Sequence, residues 1–163
     1  MLTARPDNRF GLVGGSVPVP QLTGIRRSSG THAILAQRPA RGSLATSGRC
    51  VKLRQFDIGC VTANAQGQVT VPLACTITLT SSDGDGNTNG QQTVEFVPNS
   101  LTLSDPLTVP VNLPPARTVQ INATILPAAG QVGTLATGMY VDDVVYTQYD
   151  SSPAGVRACG RGF

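Results

Sequence analysis

From Gln68 to Thr80 the chain reads QVTVPLACTITLT, and apolar and polar residues alternate along it with a period of two. Val69, Val71, Leu73, Cys75, Ile77 and Leu79 share one parity; Thr70, Pro72, Ala74, Thr76, Thr78 and Thr80 take the other. An extended backbone sends these two sets to opposite faces, so the segment predicts a half-buried strand with a threonine-rich outer side. Pro72 has no N–H to give to a ladder, which places the start of this strand at a sheet edge or breaks it there. Just upstream, in VKLRQFDIGC, Val51 and Leu53 lie on one parity and Phe56, Ile58 and Cys60 on the other. A bulge near Arg54 or Gln55 would repair that phase.

The same logic extends along the chain. TVEFV, LTVPVNL, RTVQINATI and GMYVDDVVYTQY recur at the spacing of short antiparallel strands. Pro106, Pro110 and Pro114 confine the segment around Val109 to an edge. In the last strand Tyr140, Asp142, Val144 and Tyr146 share one parity and Met139, Val141, Asp143 and Val145 the other, so both faces are largely apolar. Such a strand belongs at the centre of a sheet, covered by the leader or a loop. A charged content of 13% leaves too few Glu and Lys to solvate the faces of a helical bundle. The expected fold is therefore all-β: one antiparallel two-sheet β-sandwich over residues 49–150. A poorly ordered leader rich in Arg, Gly and Pro, in part strand-forming, precedes it at 1–48, and a disordered tail follows at 151–163.

Charge also divides the chain, at nearly the same places. Through Arg54 there are nine basic residues against one acid, Asp7; from Gln55 to Asp150 there is one basic residue, Arg117, against eight acids. A basic leader raises two functional readings, an organelle transit peptide and a nucleic-acid-binding arm. Its repeated Gly and Pro, as in GLVGGSVPVPQLTG, oppose the amphipathic helix of the first, and its scarcity of aromatics removes base stacking from the second. No nucleic acid is expected as a partner. No apolar run of signal-peptide form follows Met1, and none approaches the length of a membrane span.

Four cysteines bear on the compartment. Cys60 and Cys75 both take inward parity, on segments joined by the polar stretch TANAQGQ, and are expected to pair as the staple of a hairpin. A disulfide closing a loop of that size contributes roughly 3 kcal/mol in the chain-entropy model. Zinc is a poorer reading, because no CxxC or Cys/His cluster occurs and His32 is the one histidine. Cys50 and Cys159 are left to pair with each other or to stay free. A disulfide framework implies an oxidising, extracellular setting in spite of the missing signal.

These residues also carry a resemblance. FDIGC, a short polar loop, VPLACTITLT, a Gly/Asp turn, TVEFVPNS, a proline-containing apolar stretch, RTVQINATI and a terminal YVDDVVYT follow one another between Gly48 and Gln148. In that order they resemble an uncharacterised family of small secreted proteins of filamentous ascomycete fungi. The resemblance implies a jelly-roll or carbohydrate-module type of sandwich, an extracellular location and a Cys60–Cys75 disulfide.

Few residues offer chemistry. SSDGDGNTNGQQTVEF has the oxygens of a calcium loop, but counted from Asp85 the acid Glu95 falls at position eleven, with Phe96 at twelve. Gly, Asn and Asp are equally what a hairpin turn requires, and a hairpin is expected. Asp142 and Asp143 on the last strand are the candidates for a structural calcium; otherwise no cofactor is expected. Neighbours on a strand point to opposite faces, so these two acids do not flank one glycosidic bond, and no enzyme activity is expected. Sugar binding is the more plausible activity, with Tyr140, Tyr146 and Tyr149 as candidate stacking rings; without Trp there is no tryptophan platform. Asn122-Ala123-Thr124 is a glycosylation sequon with Asn122 at outward parity. Together these features predict a secreted, non-catalytic binding or surface module whose partner is a cell-wall polysaccharide or another surface protein.

Overall fold

A computed structural model describes residues 2–3, 16–18, 25, 32–37, 41–45, 50–63, 69–125 and 136–159. The strands are β1 (Leu2–Thr3), β2 (Ser16–Pro18), β3 (His32–Gln37), β4 (Arg41–Ala45), β5 (Cys50–Ala63), β6 (Val69–Pro72), β7 (Cys75–Ser82), β8 (Thr88–Phe96), β9 (Leu107–Pro110), β10 (Thr118–Ile125) and β11 (Ala136–Tyr149). One short helix, α1 (Pro153–Cys159), follows them. The strands form two antiparallel sheets, as the alternation predicts. In the first, β2-β3-β11-β5-β6 lie side by side, with β1 also beside β11 and β9 also beside β5. The second has the order β4-β10-β7-β8.

The two 14-residue strands β5 and β11 form the spine of the first sheet. Their inward residues Leu53, Phe56, Ile58, Met139 and Val141 meet Ile77, Leu79, Val119 and Ile121 of the second sheet in a single buried cluster. Two irregularities interrupt the β5–β11 ladder. Tyr146 pairs with Leu53 while Val145 pairs with Gln55, which leaves Arg54 as an extra residue on β5. That is the bulge the broken parity of Val51, Leu53 and Phe56 predicts. The second lies on β11, between Asp142 and Val145, where Asp143 takes a left-handed φ of 45°. Asp is among the few side chains that tolerate that conformation.

The bulge on β11 corrects one expectation. Tyr140 lies opposite Gly59 and Tyr146 opposite Leu53, so the extra residue puts the two rings on opposite faces of the sheet. Prolines act as expected. Among the described residues β9 has β5 as its one partner, and β6 ends at Pro72. Beyond it the Leu73 amide donates to the Cys60 carbonyl at 2.8 Å, and the chain crosses to the other sheet, where Cys75 opens β7. Cys60 and Cys75 are bonded, with Cα atoms 6.2 Å apart. They belong to different sheets, however, so the bridge ties the two layers together instead of stapling a hairpin. The stretch 64–68 between these two cysteines lies outside the described residues.

The chain ends are also built in. Within the leader, β1 to β4 join the sheets, and Ile25 is buried where it bridges to Ser104. A Cβ added at Gly59 would come within 2.8 Å of Ile25 Cδ1, so the Ile25 side chain lies directly over the outer face of the first sheet there. The backbone of His32 is in β3; its side chain lies outside the described residues. The tail, expected to be disordered, carries α1, and Cys50–Cys159 is a second disulfide that anchors it. Pro153 stands at the first helical position, where its missing N–H is not needed. Ser152 Oγ accepts from the Gly155 amide at 3.2 Å, and Asp150 Oδ1 accepts from the Ser152 amide at 2.9 Å.

The hydrogen bonds from the Ser152 side chain and backbone hold the Asp150 carboxyl below its ordinary value of 3.8. A group depressed in the folded state stabilises it above the unfolded value and loses that contribution as pH falls through the folded one. Protection of the amides at 153–159, taken relative to the intrinsic exchange rate at each pH, is accordingly expected to fall below about pH 3.8. In Asp150→Asn that acid-dependent step should vanish.

Candidate functional site

The outer face of the first sheet carries a polar row that crosses three strands. Thr108 of β9 pairs with Asp57 of β5, and Asp57 pairs with Asp142 of β11. Residues opposed in this way have Cβ atoms about 5 Å apart. Both carboxylates are nearly buried, at 7% and 9% exposure. Thr108 Oγ1 donates to Asp57 Oδ1 at 2.7 Å. Tyr140 Oη donates to Asp142 Oδ2 at 2.8 Å, and the Asp143 amide donates to Asp142 Oδ1 at 2.9 Å. Buried polar groups need hydrogen-bond partners, and neighbouring donors supply them along this row.

Asp142 belongs to the row, whereas Asp143 is the bulge residue and contributes its amide. Asp57 does not stand out in the sequence, because it sits between Phe56 and Ile58 on a strand whose two faces are both covered. For calcium, the described residues do not complete a site: Asp142 has both oxygens engaged, and among the described residues no three His, Cys, Asp or Glu side chains converge. Calcium takes six to eight oxygens.

The turn at 83–87 behaves as a hairpin. Asp83 Oδ1 accepts from the amides of Asp85 and Asn87 at 3.0 and 2.8 Å, and Gly86 supplies a φ of 85°. Its carboxylate is folded back onto its own loop. The tyrosines form no stacking platform, which corrects that expectation. Tyr140 is fully buried, Tyr146 packs against the core, and half-buried Tyr149 pairs with Cys50.

The outer face of the second sheet offers a broad neutral surface. Thr76, Thr78 and Thr80 of β7 lie beside Glu95, Thr93 and Gln91 of β8, and on their other side beside Thr124, Asn122 and Gln120 of β10. The inward partners on β7 are Cys75, Ile77 and Leu79, all fully buried. The result is a grid of hydroxyls and amides with Thr78 at its centre and half-buried Asn122 on its β10 side, where Asn122 pairs with Arg41 of β4.

Comparison with family models, with curated proteins and with solved structures finds no match.

Proposed function

We propose that the protein is a secreted, non-catalytic β-sandwich that serves as a binding or cell-surface module, with the neutral face of the second sheet turned toward a hydroxyl-rich partner such as a cell-wall polysaccharide. The observation that carries this reading is the hydroxyl and amide grid. It has one acid, Glu95, among nine described side chains, and its donors and acceptors complement a neutral polyol better than a charged ligand. Two disulfides in a chain of this size support a place outside the cytosol. The resemblance to secreted fungal proteins points the same way. The buried carboxylates support the non-catalytic reading, since internal donors hold Asp57 and Asp142.

Retention on insoluble polysaccharides and on a glycan array tests this reading. The wild-type protein should be retained, and Gln120→Lys and Thr93→Lys, at exposed positions of the grid, should weaken retention about tenfold with an unchanged melting temperature. A flat array would leave another surface protein as the partner. Glycosylation at Asn122 competes with this use of the face, because a glycan there would cover the grid. Intact mass of protein exported from a eukaryotic host therefore separates the two.

A second reading, a calcium-stabilised hydrolase-like sandwich, has one observation in its favour: Asp57 and Asp142 face each other in register. On the non-catalytic reading, a chelator leaves the melting temperature unchanged. A drop would favour the calcium-bound alternative.

A further inference from the structure

The two disulfides sit in different surroundings. Cys60 and Cys75 are wholly inaccessible and lie within the core between the sheets, so a reagent reaches either sulfur only when the layers part. Cys50 is equally inaccessible, but its partner Cys159 is 6% exposed and is the last residue of α1, so a reagent reaches this bond from the Cys159 side. That helix spans seven residues, too few to hold together alone in water, and its buried residues are Gly155 and Cys159. Val156, its largest apolar side chain, is 37% exposed. Apolar burial therefore does little to keep α1 on the sandwich, and the bond to Cys50 at the start of β5 does most of it.

We propose that Cys50–Cys159 is a thiol-sensitive latch: an external dithiol reductant opens it selectively and frees α1, while Cys60–Cys75 keeps the sandwich closed. A thiolate of the reductant attacks Sγ of Cys159, and the sulfur of Cys50 leaves as a thiolate and takes up a proton. The second thiol of the reductant then displaces the Cys159 sulfur, which is protonated in turn. Two electrons pass to the protein, and the reductant ends as its own disulfide. Departure of α1 uncovers the end of the β5–β11 ladder, where Cys50 pairs with Tyr149.

Timed exposure of the folded full-length chain to dithiothreitol, with alkylation and peptide mapping, reads the selectivity. Cys50 and Cys159 should be labelled about tenfold faster than Cys60 and Cys75, or more, because labelling of the second pair waits on opening of the whole sandwich. Hydrogen exchange on the partly reduced sample should show 153–159 unprotected while the amides of β7 and β10 keep their protection. The double variant Cys50→Ser/Cys159→Ser should show the same loss without reductant. Equal labelling of both pairs overturns the latch. So does retained protection of 153–159, either after selective reduction or in the double variant.

Discussion

Replacing Cys60 and Cys75 together by alanine is expected to lower the unfolding free energy by roughly 3 to 5 kcal/mol, the range for removal of a native disulfide from a small domain. Loop entropy supplies about 3 kcal/mol of it for a separation of 15 residues. The remainder comes from the position of the sulfurs. Both cysteines are fully buried, and alanines would leave a gap between the sheets that the surrounding side chains fill only in part. Thermal unfolding followed by circular dichroism should show a fall on the order of 10 °C in the midpoint. Because the bridge joins layers, hydrogen exchange should quicken in β5 and β7 alike. A bridge within one hairpin would loosen only its own segment. A midpoint within a degree or so of wild type would show that packing alone holds the layers together.

That bridge marks how far the sequence reaches. The pairing is legible because each cysteine occupies an inward position of an alternating segment. Its role is not, since 15 residues of separation look the same whether the second segment stays in the sheet or crosses to the other layer. Pro72 supplies half of the answer by ending β6, but the destination of the chain is a tertiary fact. The two bulges repeat the lesson. The bulge at Arg54 is legible because the apolar residues on either side of it change parity. The one at Asp143 is hidden, since Val141, Val144 and Val145 make both faces apolar and leave no phase to break. Asp57 is hidden for a further reason: its partner Asp142 lies 85 positions away, and only the register of β5 on β11 brings the two together.

Whether that acid row is structural or functional turns on Asp142. Its carboxylate accepts from the hydroxyl of Tyr140, whose side chain is wholly buried, and from the amide of the strained Asp143. Alanine in its place removes one acceptor from each of these donors, and breaking a buried hydrogen bond to a charged or polar group costs about 1 to 3 kcal/mol. Asp142→Ala should therefore destabilise the protein by about 3 kcal/mol in denaturant titration, with an unchanged slope. Asp142→Asn keeps one acceptor oxygen and should cost about 1 kcal/mol. Tyr140→Phe removes a donor and leaves the carboxylate to its other partner, so it should also cost about 1 kcal/mol. In a double-mutant cycle Asp142→Ala and Tyr140→Phe should be coupled by more than about 0.5 kcal/mol, since the two side chains share one buried hydrogen bond. The opposite sign is equally informative. Residues retained for a ligand commonly burden the fold, and their removal then stabilises it. If Asp142→Ala raises the unfolding midpoint, the carboxylate serves something other than the sheet, and the structural reading of Asp142 falls with it.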